Sequence, residues 1–244
     1  MRKKIKIAVV VLLILTLSAS TAFLTYLHFF ASGDQDLSGE WIANLDMTEQ
    51  AAVTALNWLN DIEAVSISLE EMEIYMKDLT IQVNLTLEQT ARSEGNFRCD
   101  VLPESYDACN QAAYEAFAKA FQALLTERLV MAGYTGATDH ETLEALVTET
   151  FGMSTIDYLM SCGPALLPPL EELQAMYDGS GVYETAEGVL TRQFDAGFPV
   201  STMVERYLYK DADLILFAEN GSVPGGLFSE HYPMVYTLKQ PQDQ

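Results

Sequence analysis

The stretch Leu79-Thr80-Ile81-Gln82-Val83-Asn84-Leu85-Thr86-Leu87-Glu88 decides the fold class. Leu79, Ile81, Val83, Leu85 and Leu87 alternate with polar residues without a break. A strand sends successive side chains to opposite faces, whereas a helix needs apolar residues three and four apart. Residues 78–89 therefore form a strand with one apolar and one wet face. Ser93-Glu94-Gly95-Asn96 reads as a turn. Phe97, Cys99 and Val101 then alternate with Arg98, Asp100 and Leu102, a hairpin partner for the first strand.

The same period appears upstream. Trp41, Ala43 and Leu45 alternate with Glu40, Ile42 and Asn44. Asp46 and Glu49 have the spacing of a capping box, and the helix they open carries Val53, Leu56, Leu59 and Ile62 on one stripe with Trp58 beside it.

Downstream the period changes. From Ser105 to Met131 apolar residues recur at Cys109, Ala113, Phe117, Phe121, Leu124 and Leu125, a helical spacing that ends at Gly133. Thr138-Asp139-His140-Glu141 caps a second helix that closes near Gly152, and Ser154-Thr155-Ile156-Asp157 caps a further short one. Pro168-Pro169 introduces a last helix, Leu170 to Tyr177. Beyond Gly181 the period returns to two. Val182–Ala186 and Val189–Phe194 flank Glu187-Gly188, Val204–Tyr209 and Leu214–Ala218 flank Lys210-Asp211-Ala212-Asp213, and Met234–Lys239 closes the series.

The order is one strand, a helix, a hairpin, about 75 residues of helix, then five strands. Three strands alone make a poor sheet, so the strands on both sides of the helical segment must pair. The expected class is α+β: an antiparallel barrel or strongly curved sheet over 37–240 with a helical insertion at 104–178.

With these elements placed, a resemblance can be named. Gly39-Glu40-Trp41 on the first strand resembles the Gly-x-Trp start of lipocalin-like β-barrels. Gly181-Val182-Tyr183-Glu184-Thr185, Ala212-Asp213-Leu214-Ile215-Leu216 and Tyr236-Thr237-Leu238 resemble the late strands of small lipocalin-like envelope proteins of Gram-positive bacteria. The resemblance covers about half of the chain. It implies a structural role for Trp41 as the plug of one barrel end and carries over no catalytic residue.

The first residues speak to location. Arg2, Lys3, Lys4 and Lys6 precede an eleven-residue apolar run, Ile7 to Leu17, and apolar character continues to Phe30. One reading is a secretory signal cut after Ala22 with Ser20 at the −3 position, releasing a secreted protein. The favoured reading is a signal anchor over 1–31, spanning the membrane through residues 5–30 and followed by a linker at 32–36. The base cluster then stays inside and the body lies outside the cytoplasm.

Charge excludes one class of partner. The 244 residues hold 13 Lys and Arg against 35 Asp and Glu, a net charge of −22. Four of the bases lie in the first six residues and no acid precedes Asp34, so the body from Gly33 has nine bases and 35 acids. Such a body repels nucleic acid and anionic lipid surfaces. Apolar residues make up 49% and the mean hydropathy is +0.08, enough to build a core.

No motif for chemistry survives inspection. Asp178-Gly179-Ser180-Gly181 and Gly221-Ser222-Val223-Pro224-Gly225 lack the spacing of a nucleophile elbow. His140-Glu141 opens like a zinc-protease motif, but Glu144 stands where the second His belongs. Asp211 and Asp213 lack the further ligands of a calcium loop and read as a hairpin turn. Glu70, Glu71 and Glu73, like Glu171 and Glu172, read as solvated helix faces, and His231 as a loop histidine. Cys99, Cys109 and Cys162 contain no C-x-x-C. Three buried thiols or one Cys99–Cys109 bridge both fit the spacing. The sequons are Asn84-Leu85-Thr86 and Asn220-Gly221-Ser222.

The expected function is binding without catalysis or a cofactor. A small barrel either fills its interior or holds one small apolar ligand, and Leu79, Ile81, Val83, Leu85, Tyr183, Phe194, Tyr207 and Phe217 are the candidate lining. The alternative is an envelope interaction protein that docks a partner protein through its helical insertion, with an exposed face formed by Phe117, Phe121 and Leu125.

Overall fold

A computed structural model describes residues 35–61, 67–219 and 231–239. Eight antiparallel strands close into a barrel in which every strand pairs with its neighbours in sequence and the last pairs with the first. They are β1 (Gly39–Asp46), β2 (Thr80–Ala91), β3 (Glu94–Val101), β4 (Gly179–Ala186), β5 (Val189–Phe194), β6 (Thr202–Lys210), β7 (Asp213–Ala218) and β8 (Met234–Leu238). The strands before and after the helical segment join directly: β3 pairs with β4 from Glu94↔Glu184 to Cys99↔Gly179. The barrel closes where Trp41, Ile42 and Ala43 of β1 pair with Leu238, Thr237 and Tyr236 of β8. Closure removes the unpaired edges that an open sheet would expose.

Consecutive strands run in opposite directions, so their connections fall alternately at two poles. At one pole lie three tight hairpins, at 92–93, 187–188 and 211–212. Glu187 and Gly188 have φ of 53° and 78°, the left-handed pair that a two-residue hairpin with the right twist requires. The opposite pole carries every long connection. Helices α1 (Thr48–Asp61) and α2 (Leu69–Tyr75) link β1 to β2. Helices α3 (Pro103–Met131), α4 (His140–Phe151), α5 (Thr155–Cys162) and α6 (Leu170–Tyr177) link β3 to β4.

The helix boundaries follow from their caps. Ser68 caps α2 reciprocally with Glu71, Asp139 caps α4 through Thr142 N at 3.0 Å, and Ser154 caps α5 through Asp157 N at 3.1 Å. Gly152 ends α4 in the left-handed conformation at φ 75°. Asp46 differs from expectation. Its carboxylate accepts from Thr48 N at 2.9 Å, closing a turn before α1 rather than a box with Glu49.

Two further expectations are corrected. The buried stripe of α1 is Ala51, Ala52, Ala55 and Leu59, while Val53 is 36% exposed. The helix turns its small residues inward, which lets its backbone approach the core closely. In α3 Phe117 is fully buried, so it contributes to no exposed face.

Gly39 explains the spacing before Trp41. Its φ is +147°, and a Cβ there would lie 2.6 Å from Leu238 Cδ1 on the closing strand. Only glycine suits both the backbone and the seam. Trp41 is 1% exposed, donates Nε1–H to Leu37 O at 2.8 Å, and meets Tyr209 edge-on with ring centroids 5.7 Å apart. It sits at the hairpin pole, beneath the point where the chain enters the barrel.

Among the described residues no helix is long and apolar enough to cross a membrane. The anchor read at 1–31 lies outside the described residues, as do Asn220 and the Gly221–Gly225 turn. The three cysteines are unbridged. Cys99 and Cys109 are buried, but Cys162 is exposed on α5.

Candidate functional site

Strand parity defines the barrel interior. Trp41, Ala43 and Leu45 of β1, Ile81, Val83, Leu85 and Leu87 of β2, and Phe97, Cys99 and Val101 of β3 point inward and are at most 3% exposed. The interior continues through Tyr183, Leu190, Met203, Leu214, Leu216, Met234 and Tyr236. These residues belong to one contiguous core that also takes in the buried sides of α1, α3 and α6.

Of the expected lining residues, Ile81, Val83, Leu85 and Tyr183 are buried in this interior, and Phe194 and Tyr207 are half-buried against it. Leu79 is buried just before β2 begins. Phe217 is not interior. It lies opposite Arg206 on the outer wall and is 40% exposed, because Leu214 and Leu216 take the inward parity of β7.

Two charges share this interior. Arg192 of β5 is 3% exposed and Glu205 of β6 is 0% exposed. Arg192 Nε donates to Glu205 Oε2 at 2.8 Å and Nη2 donates to Oε1 at 2.9 Å, a two-pronged pair. Tyr232 OH adds a third hydrogen bond to Glu205 Oε1 at 2.5 Å. The guanidinium is flanked by the rings of Phe97 and Phe194, 5.5 and 5.6 Å from their centroids. Both charges are thus compensated, as burial demands.

The neighbours feel this pair. Burial disfavours the Arg192 cation, but Glu205, Tyr232, Tyr236 and Cys99 together hold the guanidinium pKa above its ordinary value. Burial raises the Tyr232 hydroxyl, and the Glu205 charge raises it further. Burial pushes the Cys99 thiol up to about 12 against the opposing pull of Arg192. Tyr236 is likewise raised by burial. The shifts on Arg192, Tyr232, Cys99 and Tyr236 all favour the protonated forms, and the paired charges of Arg192 and Glu205 hold β5 and β6 together.

Sequence reasoning passed over this cluster although its signal is present. Leu190, Arg192 and Phe194 share one parity, as do Met203, Glu205 and Tyr207. Opposite charges on the apolar parity of consecutive strands announce a buried pair.

A second polar network ties the inserted helices. Gln122 of α3 donates to Glu144 Oε2 at 2.8 Å and to Thr155 Oγ1 at 3.1 Å, and its oxygen lies 2.7 Å from His140 Nδ1. Glu144 also accepts from Thr155 N at 2.9 Å and from Thr155 Oγ1 at 2.6 Å. The oxygens of Glu144 are therefore committed to fixing α4 and α5 on α3. Among the described residues no group of three or more His, Cys, Asp or Glu side chains is placed to hold a metal ion.

Asp213 accepts from Thr237 Oγ1 at 2.9 Å, tying β7 to β8 beside the tight turn formed by Asp211 and Ala212. His231 lies beside Tyr177 with ring centroids 6.4 Å apart. Asn84 of the first sequon faces outward with its Oδ1 buried, and its Nδ2 donates to Thr86 Oγ1 at 3.5 Å.

Hollows with room for a molecule open on the outside of the described structure. One of about 280 Å³ lies on the wall between Thr90, Asn96, Val182, Glu184 and Gln193. Another of about 550 Å³ runs along α4 beside His140, Glu141, Glu144, Thr148 and Glu149. At the tip of the insertion Phe151 is 45% exposed and Met160 46% exposed, with Met153 beside them. The Phe151 ring stacks on Tyr158 at 4.2 Å.

No protein-family model, curated protein or solved structure matches the chain. Its closed eight-stranded antiparallel barrel with helices is consistent with a lipocalin-like barrel.

Proposed function

We propose that the protein is a membrane-anchored, extracytoplasmic, non-catalytic binding module of lipocalin-like type that engages an envelope partner with its helical pole. The observation that carries this reading is the division of labour between wall and pole. The interior positions of the barrel are taken by the protein's own side chains, locked by Arg192 and Glu205. All the long connections, with their exposed Phe151, Met153 and Met160, rise from one end.

Charge narrows the partner. Residues 47–78 and 103–178, which contain the helices, hold nineteen Asp and Glu against three Lys and Arg. A surface of this kind attracts a basic partner from a distance, and its exposed methionines and phenylalanine supply the apolar contact. The partner this favours is a basic, amphipathic segment of an envelope protein.

The test is photo-crosslinking in intact cells from a probe replacing Phe151, with a probe replacing Val182 on the barrel wall as control. The expected result is an adduct from position 151 that disappears when Met160 is changed to Asp. Native mass spectrometry of the purified full chain is expected to show the bare chain mass. A co-purifying small molecule, with no adduct at 151, would instead restore a ligand inside the barrel.

A further inference from the structure

The outer wall of the barrel carries an apolar patch that the helices do not cover. Leu208 of β6 stands opposite Ile215 of β7, and Ile215 opposite Val235 of β8. This row crosses three adjacent strands near the hairpin pole. Leu208 is 50% exposed and Val235 48% exposed, with Phe217 beside them at 40%. Isolated exposed apolar residues are ordinary, but a contiguous row on neighbouring strands marks a contact surface.

Three positive side chains border the same patch. Arg206 and Lys210 share the outward parity of Leu208, and Lys239 follows β8. The side chains of Lys210 and Lys239 are 74% and 55% exposed. These are three of the nine bases in the whole body from Gly33. The nearby acids are Glu40, Asp211 and Asp213, with Glu219 after β7 and Glu187 on the hairpin beside β6. Glu40 pairs with Lys239 at 3.0 Å, Asp211 lies 3.9 Å from Lys210 Nζ, and Asp213 accepts from Thr237. The face holds a larger share of bases than the helical pole, where nineteen acids stand against three bases.

The N-terminal segment leaves the barrel beside this face. The chain enters β1 at Gly39, against Leu238 of β8, and Lys239 N donates to Glu40 O at 2.8 Å. The linker from Ser32 to Asp36 is short. A bilayer holding the preceding apolar run would therefore lie within a few residues of β8.

We infer that the outer face of β6, β7 and β8 rests on the surface of the bilayer that holds the N-terminal segment, with Leu208, Phe217 and Val235 at the headgroup boundary. This deepens the anchored reading proposed above and rests on it. Aliphatic and aromatic side chains gain by leaving water at that boundary, while Arg206, Lys210 and Lys239 reach headgroup phosphates with their stems along the apolar edge. The negative surface potential of an anionic leaflet adds a torque. It repels the acid-rich helical pole more strongly than this wall, which carries three of the nine bases of the body, so the wall is the side that can approach the lipid.

The test uses the full chain in vesicles of phosphatidylcholine and phosphatidylglycerol. A fluorescent thiol probe is placed at Val235→Cys or Phe217→Cys, each in a Cys162→Ser background, and on native Cys162 as the distal reference. Both new positions are exposed on the wall, so the barrel tolerates them. The expected result is that the chain floats with the vesicles, that nitroxide-bearing lipids quench the probes at 235 and 217 several-fold more than the probe on Cys162, and that an aqueous quencher shows the reverse order. If the chain floats but all three probes respond alike, the lipid-facing wall is overturned and the anchor stands. If the chain does not float, the anchor itself fails and the wall with it.

Discussion

Arg192 and Glu205 are not cross-strand partners: Arg192 stands opposite Met203, and Glu205 stands opposite Leu190. Their bond therefore runs along a diagonal of the β5–β6 ladder, tying two rungs at once. A slip of one residue in either strand would turn one charge to the outside and leave the other alone in the core. The pair specifies register as well as neutralising charge.

This relationship sets the first expectation. Arg192→Met or Glu205→Leu alone should destabilise the fold by about 3–5 kcal/mol, because each leaves an uncompensated buried charge. The double variant should recover most of that loss and can exceed the parent, since two apolar residues need no desolvation. Urea unfolding of the four proteins checks it. Additive losses in the double variant would show that the two side chains do not depend on each other.

Thiol reactivity should divide the cysteines. Cys162 is exposed, whereas Cys99 and Cys109 are buried and burial raises their pKa to about 12 and about 11. Only the thiolate reacts, so the native chain should titrate one thiol with an aromatic disulfide reagent and all three after unfolding. The Cys162→Ser protein should titrate none while folded.

Stability should fall in alkali. The Cys99 thiol ionises near its ordinary 9.0 when unfolded but only at about 12 when folded. Between those values the unfolded chain has released a proton that the folded chain still holds, so rising pH favours unfolding. The contribution is fully present below pH 9 and is lost as pH climbs toward 12. Tyr232 and Tyr236 shift the same way. Denaturant midpoints measured across this range should decline, and Cys99→Val should make the decline shallower.

Gly39→Ala should weaken the seam. It forces an L-residue into φ +147° and sets a Cβ 2.6 Å from Leu238 Cδ1. A loss of about 1–3 kcal/mol is expected from such backbone strain. Fluorescence of Trp41, whose indole lies beside this junction, should report a redder, more solvated environment in the variant.

Salt should stabilise the protein. With 35 acids against nine bases in the body, self-repulsion opposes compactness, and screening relieves it. The melting temperature should rise between low and physiological sodium chloride. An unchanged value would mean that the acids lie too far apart to repel.

Much of the barrel can be read from residue parity. Trp41, Ala43 and Leu45, the β2 series from Ile81 to Leu87, and Phe97, Cys99 and Val101 all face inward as alternation requires. The caps at Asp139 and Ser154 and the stop at Gly152 are local chemistry, and local chemistry is what a sequence states most directly. Phe217 shows the limit. Hydrophobicity assigns it to the interior, but Leu214 and Leu216 already hold that parity. Helix α1 shows another: Val53 is a better apolar residue than Ala52, yet close packing selects the smaller side chain. The Arg192–Glu205 pair is legible only when both strands are aligned, because each charge by itself looks like a solvent-facing residue. A binding surface leaves no such mark, since it is specified by the molecule it meets.

The seam between β1 and β8 has a consequence for biogenesis. It joins Trp41, Ile42 and Ala43 to Tyr236, Thr237 and Leu238, so the earliest-made strand waits for the latest. Until β8 has left the ribosome, β1 can pair only with β2, and its other edge stays open. A nascent chain in that condition is sticky, and contacts so distant in sequence form slowly. Loss of Met234–Leu238 would leave one edge of β1 and one edge of β7 unpaired, an unzipped sheet in place of a closed wall.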